Sequence, residues 1–261
     1  MKSLPLFFSK YQAAGNDFIL IDDRNHQFPI LASYIQNLCD RHFGIGADGL
    51  ILLQKEPFSD FWMRIFNSDG SEAEGCGNGL FCLLQFLQEL GLTSSSYKIR
   101  MGKKKWVGWV EEETSFVVFG KSFPKIANFE GNNLHFAHTG APHLVEFVEN
   151  VEKGSFEEKG KMMRFHPRLM PIGTNYSVAQ IENEGLILVR TFEKGVEKET
   201  LACGTAALAT AYLAFSQYGL SFPITLSFPG GKLVAYNKQD ELVLKGEAKK
   251  VFSGCVDCAK A

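Results

Sequence analysis

Two cysteines of this chain stand in matching surroundings: Cys76 is followed by Gly77 and Asn78, Cys203 by Gly204 and Thr205, and each group opens an apolar run. Gly77 to Leu90 reads GNGLFCLLQFLQEL and Gly204 to Phe215 reads GTAALATAYLAF, both predicted as helices. A cysteine at a helix start lies where unpaired backbone N–H groups and the positive end of the helix dipole converge. There a thiol pKa can fall from ~8.5 to between ~3.5 and ~7.5, which makes a base or nucleophile. The same N–H groups suit a carboxylate, and the following glycines let a ligand approach the backbone. If both helix starts face one cleft, a thiol stands on each side of a bound amino acid's α-carbon. One thiolate would remove the α-proton while the opposite thiol returns one, which is stereoinversion by general acid–base chemistry.

The competing reading is that both are buried helix cysteines, the usual fate of a free Cys. Matching contexts in two places weigh against it. Cys39 and Cys82 fall in apolar helical patterns and read as core, and Cys255-Val256-Asp257-Cys258 lacks a second pair at zinc-site spacing. No metal site is therefore expected. A thiol redox or metal-binding protein remains the rival of a different class.

The elements that must position these thiols read mostly as strands. Phe7 to Lys10, Phe18 to Ile21, Leu50 to Gln54, Phe61 to Phe66, Tyr97 to Met101, Trp106 to Val110 and Ser115 to Phe119 have strand texture in the first half. The second half repeats it at Leu134 to His138, His143 to Phe147, Asn175 to Ile181, Leu186 to Thr191, Ile224 to Phe228, Lys232 to Tyr236 and Leu242 to Gly246, with a hairpin turn over Asn237 to Asp240. The only two helical breaks are those that begin at the cysteines. Helices apolar on nearly every face are covered by other elements, so each half should wrap its strands around a central helix.

The expected fold is α/β (α+β): two pseudo-symmetric domains, each a curled, mostly antiparallel sheet around a central helix, with the site in the cleft between them. The boundary is placed near Asn128 to Asn133, giving halves 1–127 and 128–249, with 250–261 returning to complete the first half's sheet.

Composition narrows the function classes. A formal net charge of −2 gives no reason to expect nucleic acid or an anionic membrane as partner. The run Lys103-Lys104-Lys105 reads as a solvated turn edge, and the 23 Phe as core filling. No signal-peptide core or ~18-residue apolar span is present, so the expected setting is cytoplasmic and the six cysteines are expected as free thiols. The sequence gives no oligomeric state; a homodimer is compatible with it.

An ordered set of motifs carries a family resemblance. Gly15-Asn16-Asp17-Phe18, Gly44-Ile45-Gly46-Ala47-Asp48-Gly49 and Phe66-Asn67-Ser68-Asp69-Gly70-Ser71-Glu72-Ala73-Glu74 lead into Cys76-Gly77-Asn78-Gly79. Pro142-His143, His166-Pro167, Asn175, Glu193 and Glu199-Thr200-Leu201-Ala202-Cys203-Gly204-Thr205 follow in order. Together they resemble the diaminopimelate epimerases across the chain. The resemblance implies interconversion of LL- and meso-diaminopimelate without pyridoxal phosphate or any other cofactor, for lysine and peptidoglycan precursors, with a small-molecule amino acid as partner. By it, Cys76 and Cys203 match the catalytic thiols, His143 and Glu193 the residues that tune them, and Asn16, Asn67, Gly77, Asn78, Asn175, Glu193, Gly204 and Thr205 the substrate contacts. Without the resemblance, His143 reads as a satisfied strand histidine and the three asparagines as turn or strand-end residues.

The chain departs from the family pattern in three places. Ala141 stands where the family carries an asparagine, Lys194 where it carries an arginine, and the loop Val196 to Lys198 is one residue longer. Both side-chain changes fall on substrate positions, and a lysine is a point charge rather than a bidentate fork. They motivate a second reading of broadened specificity, a racemase of the same fold that also acts on glutamate. An isomerase related to the phenazine-pathway enzymes is a further rival, disfavoured because those lack the paired cysteines.

Overall fold

The computed structural model describes residues 5–120, 125–130, 133–239 and 241–257. The chain divides into two units, the first running to Val117 and taking in the chain from Glu247 onward, the second running from Val118 to Gly246.

The first unit holds β1 (Pro5–Ala13), β2 (Asn16–Asp22), α1 (Ala32–Cys39), β3 (Gly49–Gln54), β4 (Phe61–Asn67), β5 (Glu72–Ala73), α2 (Gly77–Glu89), β6 (Tyr97–Met101) and β7 (Lys104–Glu111), followed by β8 (Thr114–Gly120). The second holds β9 (Lys125–Glu130), β10 (Leu134–His138), β11 (Pro142–Phe147), α3 (Phe156–Arg164), β12 (Asn175–Asn183), β13 (Leu186–Glu193), β14 (Lys198–Thr200), α4 (Gly204–Tyr218), β15 (Ile224–Phe228), β16 (Gly231–Lys238) and β17 (Glu241–Gly246). The last strand, β18 (Ala248–Asp257), returns to pair antiparallel with β1.

Strand pairing follows one scheme twice. In the first unit β1–β2 is antiparallel, β2–β3 parallel across α1, β3–β4 and β4–β5 antiparallel, β4–β6 parallel across α2, and β6–β7 antiparallel. In the second, β10–β11 is antiparallel, β11–β12 parallel across α3, β12–β13 and β13–β14 antiparallel, β13–β15 parallel across α4, and β15–β16 antiparallel. Parallel neighbours need a crossover, and in both units a helix supplies it.

The registers carry the match to single residues. Phe18 pairs with Gly49, Gly49 with Asn67, and Ile65 with Ala73. His143 pairs with Asn175, Tyr176 with Phe192, and Thr191 with Thr200. Phe18, Gly49, Asn67 and Cys76 thus hold the same places in the first unit as His143, Asn175, Glu193 and Cys203 in the second.

Each sheet curls around one helix. α2 packs against β1, β2, β3, β7 and β18, and α4 against β10, β11, β12, β15, β16 and β17. The close fit of α2 shows at Gly79, where an added Cβ would lie 2.8 Å from Met63 Cε and push that side chain aside. α4 buries most of its faces and stops where Gly219 turns left-handed at φ 72°. The other helix of each unit packs on the sheet's opposite face. Ile35, Leu38 and Cys39 of α1 join Phe8, Ile19, Ile21, Leu50, Leu52 and Phe66, while Phe156 and Met163 of α3 join Leu134, Leu144, Tyr176, Val178 and Phe192.

The fold class read from sequence is the one observed; three details of that reading are corrected. Helices are not confined to the cysteine segments, because α1 and α3 are short and only one stripe of each is apolar. The phenylalanines are not all core: Phe7, Phe43 and Phe58 are 70%, 94% and 78% exposed. Phe43 is held out by its loop, where Asp40 Oδ1 accepts the N–H groups of His42 and Phe43 at 2.7 Å each. The turn assigned to Asn237–Asp240 begins later, since Asn237 and Lys238 still pair with Leu242 and Glu241; Asp240 lies outside the described residues.

Candidate active site

Cys76 is the N-cap of α2, with extended backbone at φ −156° and ψ 115°, and its Sγ accepts the Gly79 N–H at 3.3 Å. The hairpin β1–β2 brings Asn16 to it. Ala14 and Gly15 take φ 47° and 83°, a tight turn that sets Asn16 as the first residue of β2. Cys76 Sγ donates to Asn16 Oδ1 at 3.8 Å, while Asn16 Nδ2 donates to Asp48 Oδ2 at 2.9 Å.

Behind Asn16 lies an ion network. Asp48 also accepts the Asp17 N–H at 3.3 Å and an Arg41 guanidinium N–H at 2.9 Å. Arg41 grips both Asp17 oxygens, at 2.9 and 2.7 Å, and Lys10 Nζ reaches Asp17 Oδ2 at 2.8 Å. Against the upward pull of burial, these cations hold the Asp17 carboxyl well below the usual carboxylate range. Gly77 and Asn78 form the first turn of α2, with Asn78 buried. Asn67 ends β4, and its amide turns to Ser71 Oγ at 3.0 Å, within its own hairpin.

Cys203 is the N-cap of α4 and is 6% exposed, with Gly204 and Thr205 opening the helix. Its Sγ lies 3.4 Å from Thr205 Oγ1 and beside the Glu193 carboxylate, which accepts Thr200 Oγ1 at 2.8 Å. Burial pushes the Cys203 thiol far up, and the Glu193 carboxylate adds to the push; the Thr205 hydroxyl opposes it. Burial likewise raises Glu193, against hydrogen bonds from Thr200 and Cys203.

His143 is fully buried and pushed down to about 3 by that burial, with His138 adding to the effect, so the imidazole is neutral. Its Nε2 stands 3.5 Å from Asn175 Nδ2, and its Nδ1 has no hydrogen-bond partner among the described residues. Asn175 spans two neighbours: Nδ2 donates to Pro142 O at 3.0 Å and Oδ1 accepts the Lys194 N–H at 2.8 Å. Lys194 contributes its backbone there, its side chain being exposed. Ala141 O accepts the Thr139 N–H at 3.1 Å, and Thr139 Oγ1 donates to Thr205 O at 2.9 Å, tying this turn to the first turn of α4.

The structure therefore gathers Asn16 with Cys76 and Glu193 with Cys203, and His143 with Asn175. Sequence reasoning assigned no part to Asp48, Arg41, Lys10, Thr200 or Thr139. The signal for Asp48 was a charged residue between Ala47 and Gly49 in a glycine-rich loop. Cys255 is an exposed free thiol on β18, and Cys258 lies outside the described residues. Among the described residues no helix is long and apolar enough to cross a membrane.

Comparison with known proteins gives this arrangement a family. The diaminopimelate epimerase family profile matches residues 8–121 and 135–251. A diaminopimelate epimerase of Flavobacterium psychrophilum is 37% identical over 255 residues, covering 93% of this chain and 97% of that one. One from Aquifex aeolicus is 35% identical over 269 residues, covering 95% and 96%. Among solved structures, a phenazine biosynthesis protein of Bacillus anthracis superposes with a TM-score of 0.74 at 16% identity, over 97% of this chain and 99% of that one. A hydroxyproline epimerase of Agrobacterium vitis gives 0.70 at 12% identity, over 100% and 94%. The two structures share the fold; the sequence matches carry the assignment. This chain belongs to the diaminopimelate epimerase family and is an isomerase.

Proposed function

We propose that this enzyme interconverts LL- and meso-diaminopimelate, with Cys76 and Cys203 as its two proton-transferring thiols. The observation that supports it most is the repeated placement of a cysteine at the N-cap of the central helix, after the same strand scheme in both units. In each direction one thiolate takes the α-proton and the other thiol delivers a proton to the opposite face. The N–H groups of Gly77-Asn78 and Gly204-Thr205 receive substrate carboxylate, whose charge grows as the carbanion forms. Asn16, Asn67, Asn175 and Lys194 contact substrate, and His143 and Glu193 tune the thiols. We place the reaction in the cytoplasm, where both thiols stay reduced.

The names of the sequence relatives favour diaminopimelate over the glutamate reading that Ala141 and Lys194 suggested. The test is incubation with LL-diaminopimelate, and separately with L-glutamate, in deuterated water with reductant and chelator. Formation of the meso isomer carrying deuterium at the inverted carbon is expected, with no exchange into glutamate. Glutamate exchange without diaminopimelate exchange would overturn the substrate, and no exchange into either would overturn the reaction.

A further inference from the structure

The hydrogen bonds around Asn16 fix which end of its amide faces the thiol. An ionised carboxylate only accepts, so the Asn16 atom 2.9 Å from Asp48 Oδ2 is the nitrogen, and the oxygen is turned to Cys76 Sγ. An amide oxygen favours the protonated thiol and disfavours the thiolate, whereas an amide N–H does the reverse. Asp48 is itself pinned by the Asp17 N–H and Arg41, and its own N–H donates to Asp17 Oδ1 at 2.9 Å. We infer that Asp48 is a positioning residue which, through Asn16, favours the protonated form of Cys76 against the Gly79 N–H, which favours the thiolate. The consequence for turnover rests on the reading of Cys76 as a reacting thiol; the effect on the thiol itself does not.

Charged and titratable groups on the elements around Cys76 include Lys10 and Tyr11 on β1, Asp17 on β2, Arg41 and Asp48 between α1 and β3, Cys82 and Glu89 on α2, and Lys250 on β18. Removing the Asp48 charge would by direct attraction and repulsion alone lower the thiol's ionisation pH, so the test must separate that from the amide. The substitution Asp48→Asn, made both with and without Asn16, does so with little change of shape. Arg41 claims the one carbonyl oxygen of the new side chain, which leaves its NH2 toward Asn16. Asn16 must then turn its oxygen away from the thiol and present N–H to Cys76.

The experiment measures the pH dependence of Cys76 alkylation by iodoacetamide, read peptide by peptide so that the other cysteines do not interfere. In Asp48→Asn the midpoint is expected about one pH unit lower, with alkylation at pH 7 about tenfold faster. In an Asn16→Ala background the further change Asp48→Asn should move the midpoint less, by the direct charge effect alone, because the mediator is gone. Asp48→Ser is a second, smaller variant with the same expected direction, and circular dichroism with urea unfolding identifies any variant that fails to fold. A shift of equal size in the Asn16→Ala background, or no shift in folded Asp48→Asn or Asp48→Ser, would overturn the proposal. Alkylation is read without substrate, so failure of the epimerase reading would leave this result standing.

Discussion

The two units repeat one strand scheme yet surround their cysteines with different side chains. In the first, the places beside the helix start are held by Phe18, Gly49 and Asn67; in the second, the same places carry His143, Asn175 and Glu193. At Gly49 an added Cβ would lie 2.5 Å from Phe66 O, so the first unit has no room for the amide that Asn175 provides. Its polar contact to the thiol comes instead from the hairpin tip, through Asn16. Cys76 is half-buried and meets an amide held by a carboxylate; Cys203 is buried and has a carboxylate beside it. A repeat thus conserves backbone geometry far more tightly than electrostatics. One scaffold, with a few side chains changed, gives the two thiols different surroundings.

The comparison breaks most completely if either thiol is dispensable. Cys76→Ala and Cys203→Ala are each expected to lower inversion by ~10²–10⁴-fold, the usual worth of a positioned acid or base. Stereoisomer analysis after incubation in deuterated water measures it; near-normal inversion in either variant removes the two-thiol mechanism.

His143 gives the second unit an acid lability that Phe18 cannot give the first. The group's ordinary value is 6.5 and burial holds it at about 3 in the folded chain. Below 6.5 the unfolded chain takes up a proton that the folded chain refuses, so stability falls as pH drops from about 6.5 toward 3 and is unaffected above. The slope from this one group approaches about 1.4 kcal/mol per pH unit. Urea unfolding of wild type and His143→Phe at pH 7 and 5 reads it: the variant should lose less stability between the two. Equal losses would place the lability elsewhere.

The smallest expected effect sharpens the contrast at Cys203. Replacing the Glu193 carboxylate by an amide, Glu193→Gln, removes the negative charge that adds to burial in raising the thiol. Cys203 should then be alkylated several-fold faster at a fixed alkaline pH, about tenfold if the midpoint falls by one pH unit. An unchanged profile in mass-resolved alkylation would mean that burial alone sets this thiol.

Much of the scaffold is legible in the sequence. Tyr97–Met101, Leu134–His138 and Ile224–Phe228 are strands over those very spans, because apolar and β-branched residues there alternate between clear turns. Both helices begin at their cysteines, where glycine and a small polar residue open a run too apolar for any surface. What stayed hidden had weaker local signals. α3 reads FEEKGKMMR, and only Phe156, Gly160 and Met163 are buried, so its pattern resembles a solvated loop. The tie between Asn16 and Asp48 joins residues on different elements, and no local pattern reveals which amide end faces a thiol. Phe43 shows the reverse failure, where residue type argued for burial and an Asp40 turn held the ring in solvent.

The return of β18 to β1 gives this chain a timetable. Everything the second unit needs is in hand once Gly246 has been synthesised, since its strands follow one another without interruption. The first unit begins sooner and is finished later. Ser9 must wait for Ser253, and Glu89 for Lys250, both contributed by the last strand to be made. On the ribosome the order of maturation is therefore reversed from the order of synthesis, and a chain that stops short of β18 leaves its oldest strand, not its newest, paired along one edge only, with β2.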